Sequence, residues 1–217
     1  MISVGFDLDG TLIDSTDAIV ASFFHAFHEK GHTPPSREAI IATISATLED
    51  QFRLLAKLDV AEATRVYREH YLRTSPATTV LLPGVVEALD QLASAGIRMG
   101  VATSKRRSSA EPLLQHLQID RYFKACIGPE DVARPKPHPD PIHALMRQMN
   151  IAQPDGLIYI GDTHFDAKAA QAAGVPFIGV TTGYATRAEL EACGARTIVD
   201  SMAEAVNCVL TGCILTS

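Results

Sequence analysis

The sequence predicts an α/β fold in which a parallel sheet is covered by helices on both faces and carries a helical insert. Six short, β-rich apolar runs alternate with helical patterns, which is typical of a parallel sheet. The runs are continuously apolar, as in strands buried on both faces. A long segment after the first run holds no convincing strand. The predicted strands are Ile2–Phe6, Ile97–Ala102, Ala125–Ile127, Leu157–Ile160, Pro176–Val180 and Thr197–Val199.

The insert comprises residues 15–79. It reads as four helices, at 18–30, 36–44, 48–58 and 60–72, and the glycine and prolines of residues 31–35 separate the first helix from the second. The second crossover begins at the sequence LPGV, residues 82–85. We therefore expect one unit built from residues 1–14 and 80–217, with the helical segment inserted after the first strand.

Composition indicates an ordinary globular protein, because 47% of its 217 residues are hydrophobic and 20% are charged. The net charge is −6 and no basic stripe is present, so we expect no nucleic-acid partner. The four cysteines show no C-x-x-C spacing, and no apolar run is long enough to cross a bilayer. These features predict a cytoplasmic protein with reduced thiols and no membrane partner, and they leave a monomer and a homodimer open.

Polar side chains follow four of the predicted strands. Ligands of open parallel sheets bind outside the carboxyl ends of the strands, so these side chains are candidates for one site. They are Asp7 and Asp9 after the first strand, Thr103 after the second, Lys136 after the third, and Asp162 and Asp166 after the fourth. Clustered carboxylates repel one another unless one holds a proton or a cation lies between them. Oxygen ligands of this kind suit Mg²⁺, which would also hold an anionic substrate.

The same residues resemble the motifs of the haloacid dehalogenase superfamily. The matching stretches are DLDGTL at Asp7–Leu12, Thr103 at a strand end, Lys136 within RPKPHP, and GDTHFD at Gly161–Asp166. The sequence LLPGV and the helical insert are similar to the phosphoglycolate-phosphatase-like branch. This resemblance covers nearly the whole chain. It implies a Rossmann-like core, a cap at residues 15–79 that closes over the site, and a Mg²⁺-dependent phosphatase of a small phosphate monoester, either phosphoglycolate-like or a sugar phosphate.

The resemblance assigns roles to the first motif. Asp7 is similar to the nucleophile that forms an aspartyl-phosphate, and Asp9 resembles the general acid–base. Residues i and i+2 of an extended strand point the same way, so both carboxylates can reach one phosphoryl group. Gly10 allows the chain to turn sharply beside the ligand.

The other motifs receive roles in the same way. Thr103 is similar to a hydroxyl and amide donor to the phosphoryl oxygens, and Lys136 resembles the cation that offsets charge there. The resemblance implies a Mg²⁺ site formed by the Asp7 carboxylate, the Asp9 backbone carbonyl and Asp162. For Asp166, contact with the metal through water and orientation of Lys136 both remain open.

Substrate contacts are expected from the first two motifs and from the insert. They are Gly10, Thr11, Ser104, Ser45 and Thr47. The stretch Ala42–Phe52 resembles the cap segment that dips toward the active site, but it carries Ser45-Ala46-Thr47 where many relatives have Gly-Leu-Pro or similar. It contains no obvious arginine for bidentate capture of a carboxylate. We therefore expect a small polar phosphate ester.

Several alternatives stay open at this level. An inorganic pyrophosphatase and a β-phosphoglucomutase-like phosphotransferase share the motifs, whereas a phospho-acceptor signalling domain would lack the helical insert. A dehalogenase is not expected, because that activity needs neither the Asp9 carboxylate nor a metal site. The basic run of residues 105–107 fits either an anion-attracting segment or a solvated helix start.

Overall fold

A parallel sheet forms the centre of the molecule. The structure, a computed structural model, describes residues 2–214. The strands described there are β1 (Ser3–Phe6), β2 (Ile13–Asp14), β3 (Val80–Leu81), β4 (Arg98–Ala102), β5 (Phe123–Ile127), β6 (Leu157–Gly161), β7 (Phe177–Val180) and β8 (Thr197–Val199). Six of them form one sheet in the order β5-β4-β1-β6-β7-β8, in which every neighbouring pair is parallel. All six correspond to predicted strands, and the predicted fold class is confirmed.

Helices connect the strands and cover the sheet. They are α1 (Thr16–Glu29), α2 (Arg37–Ile41), α3 (Leu48–Leu55), α4 (Val60–Thr78), α5 (Val85–Ser94), α6 (Arg107–His116), α7 (Asp140–Gln148), α8 (His164–Ala173), α9 (Arg187–Ala192) and α10 (Met202–Thr211). Three short 3₁₀ turns, at Asp120–Tyr122, Pro129–Asp131 and Pro154–Gly156, complete the connections in the described chain.

Both faces of the sheet are buried, and β6 shows how. Ile158 and Ile160 belong to a core cluster that also contains Leu89 of α5. Tyr159, between them, points the other way and packs in a second cluster with Leu145 of α7. Because side chains alternate along a strand, a continuously apolar strand supplies both clusters at once.

The helical segment leaves and rejoins the core through a small antiparallel ribbon. Strand β2 pairs with β3, with Ile13 opposite Leu81 and Asp14 opposite Val80. The sequence did not predict this ribbon, because a strand of two residues is too short to show a period. Helix α4 also extends beyond its predicted end at Leu72, to Thr78.

Aromatic side chains form the interior of the insert. The ring centroid of Phe23 lies 4.7 Å from that of Phe52 and 4.9 Å from that of Tyr67, and Phe27 is buried beside them. Burial of such rings supplies much of the energy that holds short helices together. Across residues 2–214, none of the helices is both long and apolar enough for a membrane span.

Candidate active site

One cavity lies between the carboxyl edge of the sheet and the helical insert. Because β4, β1 and β6 are neighbours, their carboxyl ends bring Thr103, Asp7 and Asp162 together at this edge. The walls of the cavity include predicted residues from the core side and Ser45 from the insert. The core residues of the wall that the sequence predicts as site residues are Asp7, Asp9, Thr103, Ser104 and Lys136.

Lys136 is buried against two carboxylates. Its Nζ donates to Asp7 Oδ1 at 2.9 Å and to Asp166 Oδ1 at 2.6 Å. Burial works against the charged amine, but Asp166 and Asp7 hold the pKa of Lys136 well above its ordinary value. For Asp7, burial outweighs the attraction of Lys136 and raises the carboxyl pKa to about 7. A nucleophilic oxygen and its counter-charge are thus fixed side by side.

Asp162 is fully buried and held on both oxygens. Thr11 Oγ1 donates to Oδ1 at 2.7 Å, and the backbone N–H of Tyr184 donates to Oδ2 at 2.9 Å. A Cβ on Gly10 would lie 2.4 Å from Oδ2, and one on Gly183 only 1.9 Å from it. Burial and the neighbouring carboxylates raise the pKa of Asp162 well above its usual range. The two glycines therefore make the space that this carboxylate occupies.

Two residues near Asp162, Gly10 and Thr11, are ones that the sequence predicts as substrate contacts. Thr11 is 1% exposed, and its hydroxyl is used on Asp162. The N–H of Gly10, at a φ of +83°, donates to Ile13 O at 2.8 Å. Neither residue belongs to the cavity wall. Both act on the neighbouring carboxylate, because the turn after β1 folds back on the end of β6.

Carboxylate oxygens of Asp7, Asp162 and Asp166 all lie within 4.8 Å of one another. Hard oxygen donors at this spacing suit Mg²⁺ in its octahedral shell. Burial first, and the neighbouring carboxylates second, raise the pKa values of Asp7 and Asp162, and a bound cation would offset both effects. The donor set therefore fits the expected cation. The Asp9 carboxylate is outside this group, which agrees with the expectation that Asp9 contributes only its carbonyl.

Asp166 has both oxygens engaged. Oδ1 accepts from Lys136, while Oδ2 accepts from the N–H of Thr163 at 3.0 Å and from its hydroxyl at 2.6 Å. Thr163 in turn caps α8, so the two side chains form a capping box. These contacts favour the orienting role for Asp166 over direct contact with a metal.

Asp9 points toward the insert. Ser15 Oγ donates to Oδ1, and the Lys105 Nζ lies 3.1 Å from Oδ2. Lys105 also donates to the phenol oxygen of Tyr71 on α4 at 2.9 Å. Burial opposes the charged amine, yet Asp9 and Tyr71 raise the pKa of Lys105 above its usual value. Lys105 therefore links Asp9, the candidate acid–base, to Tyr71 of the insert.

In the segment after β4, the predicted amide donor of Thr103 already makes a hydrogen bond within the sheet. The N–H of Thr103 donates to Ile127 O at 2.9 Å, so it is not the amide that would meet a phosphoryl oxygen. Its hydroxyl accepts from the N–H of Lys105 at 3.1 Å and keeps its own proton for a ligand. Only the hydroxyl part of the Thr103 prediction is compatible with this geometry.

On the insert side, Ser45 and Thr47 differ. Ser45 lies in the cavity wall, and its carbonyl accepts from Ser104 Oγ at 3.2 Å. Thr47 is not part of the wall. Its hydroxyl caps α3, donating to Asp50 Oδ2 at 2.7 Å and accepting from the Asp50 N–H at 3.3 Å. The structure gives the Thr47 hydroxyl a helix-capping role, and its contact with substrate stays a prediction.

An ionic cluster forms the part of the wall nearest the insert. Glu49 of α3 accepts from Arg68 of α4 and lies 3.3 Å from Arg106 of the core. Although partial burial opposes ionisation, Arg68 and Arg106 hold the pKa of Glu49 below its usual value. All three side chains line the cavity.

The chain is similar to known proteins along most of its length. Residues 4–180 match a family model described as haloacid dehalogenase-like hydrolase. The chain is 38% identical over 210 residues to a Dickeya dadantii (strain 3937) protein named probable phosphatase IndB, which covers 93% of this chain and 90% of that one. The chain belongs to the haloacid dehalogenase-like hydrolases.

Two further similar proteins support this assignment. The phosphoglycolate phosphatase of Escherichia coli (strain K12) is 32% identical over 214 residues, covering 83% of this chain and 81% of that one. A haloacid dehalogenase-like family hydrolase from Streptococcus pneumoniae has a TM-score of 0.85 at 30% identity, covering 95% of this chain and 97% of that one. The predicted superfamily, its phosphoglycolate-phosphatase-like branch and the enzyme class, a phosphatase, are confirmed.

The sequence did not predict that three basic side chains would line the cavity near the insert. The stretch Ala42–Phe52 itself contains no arginine, but Arg68 reaches the cavity from α4 and Arg106 from the segment after β4. For the basic run of residues 105–107 the sequence leaves an anion-attracting segment and a solvated helix start open, and Lys105 and Arg106 line the cavity. The signal that could have found them is the basic run directly after Thr103.

Proposed function

We propose that this phosphatase depends on Mg²⁺ and hydrolyses a small phosphate monoester through a phosphorylated Asp7. One observation carries the proposal: the Asp7 carboxylate faces the cavity while Lys136 contacts it, with Asp162 and Asp166 oxygens within 4.8 Å. A carboxylate held next to a fixed cation and a metal-ligand set suits in-line attack on a phosphoryl group.

The first half of the reaction forms the intermediate. An Asp7 oxygen attacks phosphorus, the bond from phosphorus to the ester oxygen breaks, and a protonated Asp9 gives its proton to that leaving oxygen. The hydroxyl of Thr103 and the amine of Lys136 stabilise the charge on the phosphoryl oxygens and on Asp7.

The second half releases phosphate. Water attacks phosphorus, the bond between phosphorus and the Asp7 oxygen breaks, and Asp9 takes a proton from the water. The amine of Lys105, 3.1 Å from Asp9 Oδ2, helps to hold this carboxyl group at the cavity during both steps. Asp9 therefore alternates between two protonation states in one cycle.

Mg²⁺, when bound, would supply positive charge between the carboxylates and the phosphoryl oxygens. The residues proposed to hold it are Asp7, Asp162 and, through its carbonyl, Asp9. Asp166 would act on Lys136.

Residues 15–79 are proposed as the cap. They lie between β2 and β3, so the ribbon forms the connection on which this segment would move. Opening would admit substrate and closure would exclude water during phosphoryl transfer. The wall contributed by the insert favours a small ester, phosphoglycolate-like or a sugar phosphate, and the named phosphoglycolate phosphatases among the relatives favour the former.

The test is turnover of p-nitrophenyl phosphate with and without Mg²⁺, using wild type, Asp7→Asn and Asp17→Asn. We expect Asp7→Asn to lose activity on the order of a thousandfold or more, because no other group can form the intermediate. Asp17, a 73% exposed acid of α1 paired with Arg37, is the matched control and should retain wild-type rates.

Acid quench during turnover should trap phosphate on wild type and not on Asp7→Asn, and hydroxylamine should release it. Full turnover by Asp7→Asn would overturn the proposed nucleophile. Adding pyrophosphate and hexose phosphates to the panel tests the pyrophosphatase and phosphotransferase alternatives directly.

A further inference from the structure

Two cysteines are joined by one backbone hydrogen bond at the carboxyl end of α10. The N–H of Cys213 donates to the carbonyl of Cys208 at 3.2 Å, and Gly212, at a φ of +71°, makes the turn between them. This is a Schellman arrangement, in which the residue after the left-handed glycine bonds back to the last turn of the helix. The arrangement places the side chains of the two bonded residues next to each other.

The same turn ends each of the helices α5 to α9, and it shows which side chains these two positions usually hold. The backbone bond there measures between 2.8 and 3.1 Å. An apolar contact between the two side chains commonly accompanies such a turn. The pairs are apolar in all five helices: Leu92 with Ile97, Leu114 with Ile119, Met146 with Ile151, Ala170 with Val175, and Leu190 with Ala195. In α10 the same two positions hold thiols.

The two thiols are hydrogen-bonded to each other and differ in their surroundings. Cys208 is half-buried against the core cluster that contains Leu89 of α5, and burial together with the Cys213 thiol raises the pKa of Cys208 to about 11. Cys213 is exposed, and the Thr211 hydroxyl and the Cys208 thiol beside it lower its pKa. An accessible sulfur that ionises readily therefore lies next to one that ionises less readily, which suits an attacking thiol and a resolving thiol.

We propose that Cys208 and Cys213 form a redox-active dithiol, which a low-molecular-weight disulfide oxidises reversibly to an intramolecular disulfide. Oxidation would close the ring of residues 208–213 covalently and so hold the end of α10, which packs on α5. Neither cysteine lines the cavity, so this site is separate from the phosphatase site and does not depend on the proposed mechanism.

The reaction has two exchange steps. The Cys213 thiolate attacks one sulfur of the small disulfide, whose S–S bond breaks, so that a mixed disulfide forms and one small thiol leaves. The Cys208 sulfur then loses its proton and attacks the Cys213 sulfur, the mixed disulfide breaks, and a second small thiol leaves. The protein loses two electrons and two protons, and the small disulfide gains them as two thiols. An excess of a small dithiol reverses both steps.

The test uses the reduced full-length protein and glutathione disulfide at neutral pH. The reaction is stopped with acid at successive times, free thiols are alkylated, and intact mass and peptide mapping locate the products. We expect wild type to lose two free thiols, to gain a disulfide between Cys208 and Cys213, and to retain no glutathione there. Dithiothreitol should restore both thiols.

Single serine variants separate the two roles. Cys208→Ser should stop at the mixed disulfide and keep glutathione on Cys213, because no neighbouring thiol can resolve it. Cys213→Ser should react about tenfold more slowly than wild type, because the remaining thiol of Cys208 is less ionised.

The matched controls are Cys126→Ser and Cys193→Ser. Both of these cysteines are partly buried, and burial raises the pKa of Cys126 to about 12. Both variants should form the disulfide between Cys208 and Cys213 at the wild-type rate. Thermal midpoints of the reduced proteins establish that every variant is folded.

Three results would each overturn the inference. One is glutathione that stays on Cys213 in wild type, which would mean that Cys208 cannot reach it. Another is a main product in which Cys213 joins two copies of the chain. The third is a pair of thiols that both stay free while other cysteines react, which would leave Cys208 and Cys213 as an apolar contact like those of the other helices.

Discussion

A proton competes with a cation at Asp7. In the absence of a metal, burial raises the pKa of this carboxyl to about 7, and Lys136 offsets only part of that effect. Asp162 shifts in the same direction, also through burial. In the metal-free protein, such a raised carboxyl pKa costs stability at neutral pH, and this cost disappears as pH falls toward the unfolded value. A divalent ion held by this pair would offset that cost.

This competition predicts a pH-dependent requirement for Mg²⁺. Because Mg²⁺ binds the ionised carboxylates, the concentration that gives half-maximal activity should rise as pH falls below about 7, by up to about tenfold per pH unit for each proton displaced. Initial rates measured across Mg²⁺ concentrations at several pH values would check it. A half-saturating concentration that does not change with pH would contradict the raised pKa of Asp7.

At the scale of one element, the start of α8 joins a helix signal to the site. Thr163 and Asp166 form a capping box, and the same Asp166 accepts from Lys136 at 2.6 Å. A second capping box, Thr186 with Glu189, starts α9 away from the cavity wall. Both capping boxes stabilise the start of a helix in the same way, but only the first also contacts Lys136. Comparing them therefore distinguishes the effect of a capping box on stability from its effect on the site.

Replacing each of the two threonines by alanine tests these two effects separately. Thr163→Ala and Thr186→Ala should each lower the free energy of unfolding by about 1 kcal/mol, the usual effect of losing an N-cap. Only Thr163→Ala should also lower kcat/KM, because Asp166 loses the hydroxyl donor to Oδ2, keeps only the backbone N–H, and is held less firmly against Lys136. Chemical denaturation and steady-state kinetics measure the two effects. Equal kinetics for both variants would show that Asp166 needs no support from Thr163.

The elements differ in how far the sequence predicts them. The six sheet strands are continuously apolar, so their existence could be predicted. Four of them end in motif residues, so the convergence of those four ends could be predicted as well. The β2–β3 ribbon could not, because each strand has two residues and their pairing depends on the chain returning from the insert. The sequence could not distinguish two roles of Thr47, because capping α3 and contacting a ligand require the same hydroxyl.

At the scale of the whole molecule, three consecutive core residues contact the insert. Ser104 Oγ donates to the carbonyl of Ser45 at 3.2 Å, Lys105 Nζ donates to Tyr71 at 2.9 Å, and Arg106 lies 3.3 Å from Glu49. These partners are far apart in the chain and meet only when the insert packs on the core. Sequence spacing therefore could not predict them, although it predicted the residues of the first and fourth motifs.

The contact between Lys105 and Tyr71 gives the last prediction. Tyr71→Phe keeps the ring that lies 4.4 Å from the Lys105 Nζ and removes only the hydrogen bond. A hydrogen bond to a charged group contributes about 1.5 kcal/mol or more. Its loss should therefore weaken the packing of the insert on the core and lower kcat/KM by about tenfold. The loss should be of similar size for every phosphate ester tested, because the contact acts on the position of the insert. Leu72→Ala, the exposed neighbour on α4, is the control. Unchanged kinetics in Tyr71→Phe would mean that the position of the insert does not depend on Lys105.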